Sequence, residues 1–166
     1  KFMLIEFQTK ILPPNYLEEL FKLQNEGITP IIAHPERYFE IQKNPSLSDD
    51  WLNRGFILQV DCGSILGHFK EKCKEIAMEL IERGCIQLIG SDAHNNRIRN
   101  FCLEPAYYKI EHMFGNKIVE KLKSNSILLL EGKELEIIKP AENIKNNRKK
   151  ETGVNRFISM IRRREK

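Results

Sequence analysis

The sequence lacks the features that define several classes of protein. No apolar run approaches the roughly 20 residues that a membrane-spanning helix needs. The four cysteines fit neither a CxxC nor a zinc-finger spacing, and no GxxxxGK phosphate loop surrounds the glycines. No secretory signal is visible. The chain begins with Lys1 rather than Met and enters a strand-like segment at once, so we expect a fragment of a longer protein. Isolated thiols without a disulfide framework favour a reducing compartment, and we expect the cytoplasm.

The net charge of +4 is unevenly distributed along the chain. Residues 141–166 hold nine Lys or Arg against three Asp or Glu, whereas residues 1–140 hold 18 against 20. The body therefore lacks the basic surface of a nucleic-acid-binding protein, and we predict no nucleic-acid partner. We place a domain edge at residue 140, with residues 141–166 as a basic tail.

The tail has apolar residues at near-helical spacing from Val154 to Ile161, followed by three arginines. This pattern is typical of a basic amphipathic helix that contacts an anionic membrane surface. A disordered charged terminus, or a helix packed on the body, is the alternative and the more common outcome for such a tail.

Strand-like apolar segments alternate with helical patterns through residues 1–130. Strands are predicted at 2–5, 29–33, 56–60 and 86–90, and helices at about 15–26, 46–54, 67–83, 103–114 and 116–124. Strands separated by helices of this length require crossover connections and a parallel sheet. The sequence therefore predicts an α/β fold in residues 1–140.

Three of the predicted strands end in side chains that bind metals. Glu6 follows the first strand, His34 follows the second, and Asp92 and His94 follow the fourth. Residues two apart on an extended backbone point to the same side, so we expect Asp92 and His94 to converge on one point. A metal site on an α/β scaffold has this pattern. Each residue also has a simpler explanation. Asp92 and His94 could form a capped turn, Glu6 could form a salt bridge, and His34 could leave its strand in the extended conformation that the following Pro35 imposes.

Four motifs occur in an order that indicates a known family. They are LIEF at 4–7, PIIAHPERY at 30–38, LQV at 58–60 with GSILG at 63–67, and SDAHN at 91–95. Over about residues 1–134 the chain resembles the bacterial protein tyrosine phosphatases of the PHP (polymerase and histidinol phosphatase) superfamily, which are found with capsule and exopolysaccharide synthesis genes. The resemblance implies part of a distorted (βα) barrel whose strand ends hold up to three divalent metals.

The resemblance also implies a role for individual residues. Its metal ligands correspond to Glu6, His34, Asp92 and His94, and its catalytic, phosphate-binding arginines to Arg37 and Arg99. We expect manganese as the metal. Iron and zinc are the alternatives, because mixed His and carboxylate ligation suits all three metals. Such metals activate a water for attack on phosphorus, while arginine forks neutralise the phosphoryl oxygens. No cysteine nucleophile is needed, in agreement with the absence of a Cys-x5-Arg loop.

Other readings of these residues stay open. Arg37 could instead pair with Glu36 or Glu40 on the surface, and Arg97 is a rival to Arg99. Tyr38 could bind the substrate by stacking on an aromatic ring, or it could be a rim tyrosine without such a role.

The chain departs from the family at its beginning. The family opens with a His-x-His strand, then another His and a Glu before LIEF, and here the chain begins at LIEF. We therefore expect either the carboxyl-terminal part of a longer phosphatase or a truncated gene product. The expected function is hydrolysis of phosphotyrosine on a tyrosine kinase of polysaccharide export. This kinase would be the main partner, and formation of a homo-oligomer stays open. The alternatives are a phosphoesterase acting on a small phosphate such as histidinol phosphate, and an inactive module that binds the kinase.

Overall fold

Four parallel strands form one sheet in a computed structural model that describes residues 1–97 and 100–138. The strands are β1 (Phe2–Ile5), β2 (Thr29–Ala33), β3 (Ile57–Asp61) and β4 (Leu88–Gly90), and they lie in the order β1-β2-β3-β4. Each strand pairs with the next one along the chain, and all carboxyl ends therefore meet at one edge of the sheet. The prediction of an α/β fold with parallel strands is confirmed.

Helices connect the strands and cover the sheet. They are α1 (Tyr16–Asn25), α2 (Phe39–Lys43), α3 (Leu47–Asn53), α4 (Cys62–Leu66), α5 (Glu71–Glu82), α6 (Leu103–Phe114) and α7 (Asn116–Leu130), with a 3₁₀ turn at Pro35–Arg37. The main core contains fully buried side chains from strands and helices alike, among them Trp51, Leu58, Ile65, Leu80 and Leu122. Burying such side chains is the main source of stability and fixes the strand ends in place.

Two of the predicted helices differ in their bounds from the structure. The helix predicted at 67–83 is α5, which begins only at Glu71, because Gly67 ends the preceding α4 with a φ of 84° that a helix cannot continue through. The helix predicted to end at residue 124 extends to Leu130, since the apolar run at 127–130 continues it. Helices α2 and α4 were not predicted, and their five residues each are too few for a periodic pattern.

The predicted domain edge and the basic tail lie outside the described residues, so both stay predictions. In the part of the chain that is described, no helix has the length and apolar character needed to cross a membrane.

Candidate metal centre

A cavity of about 430 Å³ opens at the carboxyl-terminal edge of the sheet. Every strand contributes to its wall, with polar side chains supplied mainly by the residues at or just after the strand ends. The lining residues are Leu4, Glu6, Ala33, His34, Gln59, Asp61, Gly90, Ser91 and Asp92. Three carboxylates and one imidazole thus line one space, although they lie far apart along the chain.

Glu6 and His34 form the closest pair of metal-binding groups in this cavity. Glu6 Oε1 lies 3.0 Å from His34 Nε2, with the carboxylate largely exposed and the imidazole buried. Burial lowers the pKa of His34, and the nearby Arg37 guanidinium lowers it further. The ring is therefore held in its neutral form, which is the form that binds a metal.

Both His34 and Asp92 have a left-handed backbone. Their φ values are 35° and 44°, and within the described ranges they are the two residues other than glycine with positive φ. A side chain in this region costs about 1 kcal/mol and persists where the surrounding structure holds it there. The strain falls on two residues of one cavity, which is the distribution expected at a functional site.

Asp61 was not predicted to belong to the site, yet it lines the cavity. It is the last residue of β3 and is almost fully buried. Its Oδ1 accepts the Gly63 amide at 2.7 Å, so the same carboxylate caps α4. The signal was present in the sequence, because Asp61 follows an apolar strand as Glu6 and His34 do.

Glu36 holds Asp61 in place from behind. Its side chain is completely buried, and Oε1 accepts the Asp61 amide at 3.2 Å. Burial away from water raises the pKa of the Glu36 carboxyl to about 8. The motif at 34–37 thus supplies Glu36, which supports the Asp61 backbone from a buried position. It also supplies His34, which lines the cavity, and Arg37, which pairs with two of its carboxylates.

Arg37 lies at the edge of the cavity and faces two of its carboxylates. Its Nη1 lies 2.8 Å from Asp92 Oδ2 and 3.5 Å from Asp61 Oδ2. The guanidinium also packs over the Phe69 ring, with 4.9 Å between Cζ and the ring centroid. The predicted surface pairing of Arg37 with Glu36 or Glu40 is not observed, because the side chain turns inward toward the strand ends.

His94 lies close to Asp92 but does not line the cavity: its Nδ1 is 3.6 Å from Asp92 Oδ1. Strand β4 ends at Gly90, and the left-handed turn at Asp92 breaks the extended backbone on which the spacing argument depended. His94 is exposed, does not line the cavity, and places Nδ1 2.7 Å from the Asp92 backbone oxygen. The extended backbone assumed by the spacing argument is therefore absent, although the two side chains still lie near each other, and the role of His94 as a ligand stays a prediction.

Tyr38 cannot stack on a substrate ring, because its side chain is fully buried. Its ring lies edge-on to His34 at 5.6 Å between centroids, and its hydroxyl accepts the Phe7 amide at 2.9 Å. Burial raises the pKa of Tyr38 well above its usual range, so the phenol stays neutral. Tyr38 is a positioning residue that holds both His34 and the backbone beside Glu6.

Changing Tyr38 to Phe is expected to destabilise the fold by about 1–3 kcal/mol, because it leaves the Phe7 amide without its acceptor. The free energy of unfolding in urea measures the loss. Tyr108 is exposed and provides the matched control, since Tyr108→Phe should change the same quantity by less than about 0.5 kcal/mol. Equal stability of both variants would remove the positioning role of Tyr38.

The second predicted arginine, Arg99, lies outside the described residues, so its role stays a prediction. Its rival Arg97 is exposed, and its backbone amide donates to the Asn95 side chain.

The metal-binding side chains of the cavity suit a divalent cation, but as placed they do not form a complete coordination shell. Among residues 1–97 and 100–138, no three His, Cys, Asp or Glu side chains stand together as a finished metal site. The Glu6 and His34 donors, however, are about as far apart as two ligands of one ion, since donors at about 2.0–2.2 Å from a metal lie roughly 3 Å from each other. Apart from the Glu6 carboxylate beside Nε2, neither buried ring nitrogen of His34 has a hydrogen-bond partner within these residues. An imidazole in this condition with a carboxylate beside it fits metal ligation.

Comparison with known proteins gives matches over most of the chain. A family model described as "Capsular polysaccharide synthesis, CpsB/CapC" matches residues 1–131. The chain is 41% identical over 131 residues to the tyrosine-protein phosphatase YwqE of Bacillus subtilis, covering 78% of this chain and 51% of that protein. It is 30% identical over 127 residues to the tyrosine-protein phosphatase CpsB of Streptococcus agalactiae, covering 74% of this chain and 52% of that protein.

A solved structure has the same fold over most of the chain. It comes from crystal structures of YwqE from Bacillus subtilis and CpsB from Streptococcus pneumoniae, described there as unique metal-dependent tyrosine phosphatases. The TM-score is 0.78 at 35% identity, and the match covers 86% of this chain and 58% of that one. The chain thus spans about half the length of the curated relatives it matches.

Proposed function

The chain belongs to the CpsB/CapC family of capsular polysaccharide synthesis, and from that premise we propose that it is part of a metal-dependent protein tyrosine phosphatase. The observation that carries the proposal is the cavity at the strand ends, which is lined by Glu6, His34, Asp61 and Asp92, with Arg37 paired to Asp92. The relatives are named tyrosine-protein phosphatases, and the chain shares their fold over about half their length.

The residues of this site have separate tasks in the proposed reaction. Glu6, His34, Asp61 and Asp92 would hold a divalent metal, which when bound supplies Lewis acidity toward water and the phosphoryl group. Arg37 would donate to the phosphoryl oxygens from the edge of the cavity, where a planar fork of N–H groups matches their geometry. Glu36 and Tyr38 would keep these groups in position, because each fixes the backbone next to a cavity residue.

We further propose manganese as the metal and a tyrosine kinase of polysaccharide export as the phosphorylated partner. Mixed imidazole and carboxylate donors support manganese but also suit iron and zinc. The name of the family supports a role in capsule synthesis. All four cysteines are free thiols, which supports a cytoplasmic location.

Metal removal tests the proposed function directly. We expect the protein that contains this chain to release phosphate from phosphotyrosyl peptides, to lose this activity with EDTA and to regain it with Mn²⁺. A malachite-green phosphate assay measures the release. Faster hydrolysis of histidinol phosphate than of any phosphotyrosyl peptide would favour the small-molecule phosphoesterase instead. Activity that resists complete metal removal would contradict the metal-dependent mechanism.

A further inference from the structure

A second cavity, of about 540 Å³, is lined by Arg37, which pairs with Asp92 of the first cavity, and it carries the opposite charge. It is lined by Thr9, Lys10, Arg37, Phe39, Gln42, Phe69, Lys70 and Cys73. These lining residues include three cations and no carboxylate, whereas the metal cavity is lined by three carboxylates and no Lys or Arg. The first cavity therefore suits a cation and the second an anion, with Arg37 between them.

The two lysines of the second cavity are available for a ligand. Within residues 1–97 and 100–138, neither Lys10 nor Lys70 forms an ion pair with a carboxylate. The neighbouring lysines of α5 do: Lys72 pairs with Glu75 at 3.3 Å and Lys74 with Glu71 at 2.7 Å. Within the described ranges the charges of Lys10 and Lys70 are therefore not neutralised by a carboxylate, whereas Arg37 pairs with Asp61 and Asp92.

Phe69 gives this cavity a fixed aromatic wall. The ring lies so close to Gly63 that a Cβ at that position would come within 2.8 Å of Phe69 Cε2. The Arg37 guanidinium lies over the same ring. Phe69 is thus held between the α4 backbone and Arg37, and Phe39, about half exposed, adds a second ring to the wall.

We propose that this cavity binds an anionic side chain next to the phosphotyrosine that enters the metal cavity. The inference rests on the proposed function and adds to it the substrate class: peptides with a carboxylate or a second phosphorylated residue in the flank. Lys10 and Lys70 attract the anion, while Phe39 and Phe69 pack against the apolar part of the peptide. Because Arg37 lines the second cavity and pairs with Asp92 of the first, we expect the anion within about three residues of the phosphotyrosine, at roughly 3.3 Å per residue of extended chain.

Peptide binding to the full chain with Mn²⁺ tests the inference. Fluorescein-labelled peptides would carry a non-hydrolysable phosphonate analogue of phosphotyrosine, flanked on both sides by Glu, phosphoserine, Ala or Lys. We expect the Glu and phosphoserine peptides to bind about tenfold more tightly than the Ala peptide, and the Lys peptide more weakly. The preference should shrink as salt is raised from about 50 to about 500 mM, because the Debye length is about 10 Å at 0.1 M and shorter at higher salt, so that exposed charges are screened.

Charge reversal identifies the residues responsible. We expect Lys10→Glu with Lys70→Glu to abolish or invert the preference for anionic flanks. Lys117→Glu on α7 is the matched control, because this exposed lysine lines neither cavity, and it should leave the preference unchanged. The ratio of Glu-peptide to Ala-peptide affinity is the readout, so a general loss of stability cannot imitate the result.

The outcomes separate the inference from the proposed function. Equal affinity for all four flanks, with binding that still requires the phosphonate, would overturn the inference and leave the phosphatase proposal standing. Binding that ignores the phosphonate would overturn the proposed function and the inference with it. A preference for the phosphoserine peptide alone would assign the cavity to a second phosphorylated residue, and a preference for both anionic peptides would assign it to acidic flanks in general.

Discussion

Changing Asp92 to Ala is expected to lower metal content and phosphatase activity together, with activity falling by at least about 100-fold. Asp92 lines the metal cavity and pairs with Arg37, so its loss removes a candidate ligand and the partner that orients the guanidinium. Metal content by inductively coupled plasma mass spectrometry and phosphate release measure the two effects on the same sample.

Two further variants of the same design separate ligation from other effects. Asp92→Asn keeps one side-chain oxygen and a residue type that tolerates the left-handed backbone, so it should keep the fold while weakening metal binding. Asp50→Ala removes an exposed carboxylate that pairs with Arg54 and should change neither readout. Full activity of Asp92→Ala at unchanged metal content would remove Asp92 from the site.

Changing Arg37 to Ala should lower kcat/KM for a phosphotyrosyl peptide by about 100- to 1000-fold while metal content stays unchanged. The guanidinium is the described cation nearest the strand-end carboxylates, and its task in the proposed reaction is to neutralise charge that develops on the phosphoryl oxygens. Arg37→Lys keeps the charge but loses the planar fork, so it should recover only part of the activity.

Arg54→Ala is the matched control for this experiment. Arg54 is an exposed arginine whose Nε lies 2.8 Å from Asp50, and it lines neither cavity. Its loss should leave kcat/KM within about twofold of the starting protein. If Arg37→Ala lost metal in proportion to activity, Arg37 would be a support of the metal centre and its role toward phosphate would be wrong.

The position of the site could be predicted from sequence because it depends on local pattern. Apolar strands followed by Glu6, His34 and Asp92 bring these side chains to one edge of any parallel sheet, whatever the helices do in detail. Asp61 follows the predicted strand at 56–60 in the same way, yet it was not predicted to belong to the site.

The remaining errors concern features that depend on contacts between distant residues. Tyr38 is buried because its hydroxyl meets the Phe7 amide, 31 residues earlier in the chain, and no local pattern shows that pairing. His94 lies beside Asp92 but does not line the cavity, and the left-handed backbone at Asp92 is not anticipated by alternation along a strand. The second cavity escaped prediction for the same reason: Lys10, Phe39 and Phe69 come from three separate segments.

The central claim is that side chains at four consecutive strand ends bind one divalent cation. Diffraction from crystals grown with Mn²⁺, collected on both sides of the manganese absorption edge, tests it most directly. The claim predicts an anomalous peak within bonding distance of Glu6 and His34, in the cavity that Asp61 and Asp92 also line. Manganese bound only elsewhere, with that cavity free of anomalous signal at full Mn²⁺ saturation, would contradict it.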